Sequence, residues 1–214
     1  MKHELSEIEK LAWREIVRAQ VERFHEFYSE YFNRKETIEM AKFFFETVYN
    51  LDGKEEWEAL AYSTYDKVKQ MMKETSRENV ERLMELNSIT DELDIRMGQL
   101  LISKGWDGKR QIDLIEYKGI YCEFGESELR KKQLGIVLIN LKKFYELAHK
   151  PIAAFVIKPA SVMAKMLGVY PLFEKVENGY YATLPVKKEV FSEFFNFVEK
   201  REWEFYDEMF PGMR

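Results

Sequence analysis

Apolar residues recur every three or four positions along most of the chain, and that spacing predicts one helix after another. The first 52 residues contain neither Gly nor Pro. From Glu4 to about Phe32, Trp13, Val17, Val21, Phe24, Tyr28 and Tyr31 share a face at ~100° per residue, so a single long helix is expected there. A second helix carries Ile38, Ala41, Phe44, Phe45 and Val48, and Asn50-Leu51-Asp52-Gly53 reads as a turn. Further stripes run through Trp57 to Val68, Leu83 to Leu100, Gln111 to Cys122 and Leu134 to Ala148. After Pro151 the pattern suggests short helical pieces, with Pro159 at a first turn and Asn178-Gly179 as an end. Tyr180 to Val186 reads as a loop or a brief extended segment, and a last helix starts near Pro185. The expectation is an all-α fold, one multi-helix, bundle-like domain of about eight or nine helices over residues 1–214.

Composition narrows the field. Ten Gly and five Pro among 214 residues are fewer breakers than a loop-rich β-sandwich or barrel needs. Lys and Arg total 33 against 38 Asp and Glu, a net charge of −5. That balance argues against nucleic acid, whose binding rests on Lys and Arg neutralising phosphates. A lone cysteine, Cys122, excludes an internal disulfide and points to a reducing, cytoplasmic setting. The N-terminus lacks an apolar signal core and no run approaches ~18 apolar residues, so no membrane span and no membrane partner are expected.

Phe43-Phe44-Phe45-Glu46-Thr47-Val48-Tyr49 resembles the signature of the uncharacterised bacterial FFLEELY-motif proteins. The likeness extends over nearly the whole chain. It takes in the acidic, Leu-containing stretch Glu85 to Asp94, then Gly125, Arg130 and Gln133, Pro159-Ala160, Leu167-Gly168, Glu177-Asn178-Gly179-Tyr180 and Arg201-Glu202. The chain departs from the family where Asn50-Leu51-Asp52-Gly53 replaces Gly-Pro-Lys-Asp-Phe. The resemblance implies an architecture and supplies no chemistry.

Candidate chemistry is sparse. Glu22-Arg23-Phe24-His25 and Glu146-Leu147-Ala148-His149 are two Glu-x-x-His strings on separate helices, the pattern of a di-iron or di-manganese carboxylate bundle. Yet Glu22 lies ~140° and Glu146 ~150° from the apolar stripe of its own helix, so both point outward. No nucleophile elbow, Walker string or dinucleotide fingerprint occurs, and Cys122 has no cationic neighbour in sequence. No cofactor is implied.

Aromatic residues make up 15 % of the chain. Phe43 points almost opposite to Phe44 and Phe45 on an α-helix, so it packs under another segment or joins a contact surface; Trp203 and Phe210 also sit off their helix face. Arg130 and Gln133 fall inside the apolar stripe of their helix, and Glu202 inside that of the last helix. A buried charge needs a partner, so Arg130 is expected to meet Glu202, with Gln133 taking a leftover hydrogen bond, as a structural pair or as the polar lining of a pocket. These features favour a binding or interaction module without catalytic activity, serving a second copy, another protein or an apolar small molecule. The alternative is a metal-dependent oxidoreductase of the carboxylate-bundle type.

Overall fold

The computed structural model describes residues 5–166 and 168–213; Glu4, expected to open the first helix, and Leu167 of the Leu167-Gly168 mark lie outside them. Within the described residues the chain forms α-helices and no strand. The order is α1 (Glu7–Phe27), α2 (Ser29–Asn33), α3 (Ile38–Lys42) running into a π-turn (Phe43–Thr47), then α4 (Lys54–Val68) with a 3-10 turn (Lys69–Met71). There follow α5 (Glu74–Ser103), α6 (Leu114–Phe124), α7 (Ser127–Ala148), α8 (Pro151–Met166), α9 (Tyr170–Thr183) and α10 (Lys188–Met209). The all-α expectation holds. No helix of the described residues is long and apolar enough to cross a membrane.

Local chemistry explains most boundaries. Ser6 precedes α1, and its backbone N–H donates to Glu9 Oε2 at 2.9 Å, satisfying one donor outside the helical ladder. Asp113 caps α6 by accepting the Glu116 N–H at 2.8 Å. The expected first helix is instead two, because Tyr28 leaves the helical region at φ −117° and ψ 24°. The last third also differs from the pattern reading. Pro159 lies inside α8, not at a first turn, and faces solvent, where water can serve the carbonyl that a proline cannot bond. Asn178-Gly179 lies inside α9, which continues through Thr183.

Contacts divide the chain into two compact units. Unit 1 comprises Met1–Ser29, Leu83–Leu138 and Asn196–Arg214; unit 2 comprises Glu30–Arg82 and Ile139–Phe195. In unit 1, α1 packs on α6, and Gly98 of α5 lies so close to α1 that a Cβ there would sit 3.1 Å from the Ala12 carbonyl carbon. The loop before α6 is held by Glu15, buried on α1, which accepts the Ile112 N–H at 2.6 Å while Arg18 donates to the Ile112 carbonyl at 2.7 Å. In unit 2, α9 is the centre, packed on α3, the π-turn, α4 and α8.

Candidate functional site

Unit 1 buries charge. Arg23 on α1 is only 2 % exposed. Its Nη2 donates to Glu202 Oε2 on α10 at 3.0 Å, its Nε to Gln20 at 3.3 Å, and its guanidinium carbon lies over the rings of Phe205 at 4.3 Å, Phe24 at 4.7 Å and Phe27 at 5.0 Å. The ring faces shelter Nη1, which has no hydrogen-bond partner among the described residues. Burial works against this cation, but Glu202 and the nearby Tyr28 and Tyr117 hold its pKa above the ordinary value. Tyr28 donates to the other oxygen of Glu202 in a short hydrogen bond. Burial first, then the Glu202 charge, raises the Tyr28 pKa well above the usual phenol range, so the hydroxyl stays a donor.

The expected Arg130–Glu202 pair is not what forms. Arg130 on α7 is buried at 4 % and lies 3.8 Å from Asp94 of α5. Its Nη1 donates to Gln133 Oε1 at 2.9 Å, Nη2 meets the Met97 sulfur, and Gln133 donates onward to Thr90 at 2.8 Å. Two rings in edge-to-face contact lie between the two guanidinium groups. Arg130 rests on the Tyr121 ring at 4.4 Å, Tyr121 meets Phe205 edge-on at 5.1 Å, and Phe205 lies under Arg23. Each cation therefore takes its own carboxylate. Arg23 escaped the pattern reading because it is charged, but its spacing was visible: Ala12, Ile16, Ala19, Arg23 and Phe27 step by four, three, four and four along α1, and all are buried.

The three aromatic residues proposed for a contact surface divide. Phe43 is buried at 9 %, packed on Phe44 at 5.2 Å and Phe144 at 5.5 Å. Residues two apart point to nearly opposite sides of a helical turn, and here both sides are covered: Phe43 lies on Phe144, while Phe45 meets Phe194 at 5.9 Å and Phe32 at 6.0 Å. Phe210 is buried at 5 % between Tyr121 and Tyr206. Only Trp203 reaches solvent; it meets Tyr206 edge-on and joins Asn196, Glu199, Lys200 and Glu204 around a shallow hollow of about 410 Å³ on α10. One helix alone forms this hollow, which is too open to enclose a ligand.

Four large, exposed apolar residues lie together elsewhere, on α8. Phe155 is 78 % exposed, Val162 59 %, Met163 60 % and Met166 82 %. Phe155, Pro159, Val162 and Met166 recur at i, i+4, i+7 and i+11 with Met163 beside them, so they form one stripe along the helix. The opposite side is buried through Ser161, which donates to Glu177 of α9 at 3.3 Å, and Ala164. Apolar residues thus occupy the outer as well as the packed side of this helix, a pattern normally found when both sides are covered.

A family model described as a domain of unknown function (DUF8198) matches residues 2–214. The chain belongs to that family. No curated protein and no solved structure matches it.

Membership in DUF8198 brings no ligand set, so the metal candidates rest on geometry alone. Glu22 and His25 are exposed in unit 1, with Glu22 paired to Arg18. Glu146 and His149 are exposed in unit 2, where the His149 ring lies tilted against Tyr145 at 4.1 Å and its Nδ1 lies 3.0 Å from the Tyr145 carbonyl. No group of three or more His, Cys, Asp or Glu side chains is placed to hold a metal among the described residues. Cys122 is exposed on α6.

Proposed function

We propose that this DUF8198 chain is a helical interaction module whose binding face is the outer stripe of α8. The supporting observation is the concentration of four large, strongly exposed apolar side chains on one helix whose other side is already packed. Scattered exposed residues are ordinary on any protein; a contiguous stripe is not. The buried arginine clusters of unit 1 serve this reading as structure. Their donors meet Glu202, Gln20, Gln133 and the Met97 sulfur, and their faces lie on aromatic rings. We further read the chain as cytoplasmic, in keeping with its single exposed thiol, and its Phe43–Tyr49 segment as the FFLEELY signature of a bacterial family.

A photo-crosslinking side chain at Met166, compared with the same group at Ile115, tests the reading. The two positions are equally exposed at 82 %, but Ile115 is outside the stripe. Adducts in the producing cells from position 166 and few from 115 are the expected result. Equal yields would remove the basis for choosing α8.

A further inference from the structure

Charge along the sequence singles out the same helix. Residues 147–173 contain no Asp or Glu, so all 38 acidic residues of the chain lie outside this stretch, which carries Lys150, Lys158 and Lys165. Lys158 and Lys165 are both exposed and lie on the same flank of the apolar stripe, ~75–95° from its centre. Lys165 rests its ammonium over the Tyr170 ring at 4.4 Å. On α9, Glu177 is engaged by Ser161 and Tyr170, and Glu174 is exposed. A protruding ridge of Phe, Val and Met flanked by lysines has the composition of a helix that lies in a membrane interface, its apolar side chains among the acyl chains and its lysines reaching to the headgroups.

We propose that the outer face of α8 docks on an anionic lipid surface. This deepens the reading of α8 as the binding face and rests on it. The absence of a spanning segment, which argued against a membrane partner, does not bear on a helix that lies flat. At 16 residues α8 is about 24 Å long, shorter than a span requires. A fluid bilayer covers a convex ridge without a matching groove. The acidic remainder of the chain is repelled by an anionic leaflet, so α8 is the part that approaches it. Self-pairing fits the charges less well. Two α8 helices placed face to face and antiparallel about a two-fold axis bring Lys158 and Lys165 of both copies to one edge, where like charges oppose the contact.

The test uses the full chain with large vesicles of phosphatidylcholine alone or mixed with phosphatidylglycerol, separated by sedimentation at low salt. The expected result is at least about tenfold stronger binding to the mixed vesicles, weakened by salt. Phe155→Ser with Met166→Ser should abolish binding to both. Lys158→Gln with Lys165→Gln should remove the preference for anionic lipid. Circular dichroism and sedimentation velocity verify that each variant is folded and report its association state. Equal binding to both vesicle types, no binding to either, or unchanged binding by the serine variant overturns the proposal. So does a dimer of the wild-type chain that the serine variant dissolves. If vesicles fail while crosslinks from Met166 persist on a discrete protein, lipid is wrong and α8 remains the binding face; if the crosslinks fail too, both readings fall.

Discussion

The two units hold their helices together by different means. In unit 1 two buried arginines are paired across separate helices: Arg23 of α1 to Glu202 of α10 and Arg130 of α7 to Asp94 of α5. In unit 2 the buried pair Lys54–Glu58 lies within α4, one turn apart at 3.7 Å. There rings meet across the interior: Phe43 with Phe144, Tyr31 with Phe194, and Tyr145 stacked on Phe191 at 3.7 Å. Directional charge pairs penalise a slipped register because a lost partner leaves a buried ion. Ring packing penalises it through shape alone. The first kind of core is sensitive to deleting an atom, and the second to adding one.

The largest effect should therefore follow removal of one member of the unit 1 pair. Arg23→Met leaves the Glu202 carboxylate facing Tyr28 without its cation and should cost about 3 kcal/mol in urea unfolding. Adding Glu202→Leu should recover part of that loss, because no orphaned charge remains. A double variant whose cost equals the sum of the two singles would show that the pair does not act as a unit.

The matching test of unit 2 adds a methyl group. A Cβ on Gly179 would lie 2.2 Å from Phe43 Cζ and 2.7 Å from Phe144 Cζ. Alanine ordinarily stabilises a helix interior by about 1 kcal/mol relative to glycine, yet Gly179→Ala should destabilise by about 2 kcal/mol through overpacking. Phe43→Leu in the same chain should reverse much of the loss. A Gly179→Ala variant as stable as the parent would mean the rings move aside freely, and shape would then not fix register in unit 2.

Gly179 also shows where the sequence was legible and where it was not. Periodicity reports local geometry, so the all-helical class and most of α1, α4, α6, α7 and α10 could be read directly. Gly179 looked like a stop because glycine usually is one; its reason is a tertiary contact with a ring 136 positions away in sequence. Pro159 misled in the same way, since only its solvent-facing placement makes an interior proline tolerable. At the candidate sites, a charge inside an apolar stripe announced that Arg130 and Glu202 needed partners. Which partner each would take depends on α1 and α5 geometry that spacing does not encode. The α8 stripe escaped notice because an apolar helix and a buried helix look alike until exposure is known.

Removing a single hydroxyl in each unit gives a smaller, paired comparison. Tyr28 donates to a carboxylate in unit 1, whereas Tyr145 donates to the Val186 carbonyl at 2.9 Å in unit 2. Hydrogen bonds to charged groups are worth roughly twice those between neutral ones. Tyr28→Phe should cost about 2 kcal/mol and Tyr145→Phe about 1 kcal/mol by thermal unfolding. Equal costs would indicate that the charge of Glu202 is carried by Arg23 alone.

The smallest effect is a pH trend carried by one lysine of unit 2. In unit 2, Lys175 lies over the Trp57 ring at 4.4 Å, and burial, followed by the charge of Lys54, lowers its pKa below the ordinary 10.5. A lysine with a lowered folded pKa disfavours the folded state while both states are protonated. That penalty is relieved as pH rises through the folded value toward 10.5. The tyrosines behave oppositely. Burial raises the pKa of Tyr117 and Tyr121 in unit 1, as it does that of Tyr28, and pushes Tyr31 of unit 2 up to about 12. Their contribution is complete below the ordinary phenol value of 10.0 and is lost as pH climbs from there through the folded values. Lys175→Met removes the first trend and leaves the second. Its stability advantage over the parent should be greatest near neutrality and shrink as pH approaches 10, while both chains lose stability together above it. An advantage that stays constant over that range would show that Lys175 keeps an ordinary proton affinity and that the Trp57 face, not the Lys54 charge, sets its environment.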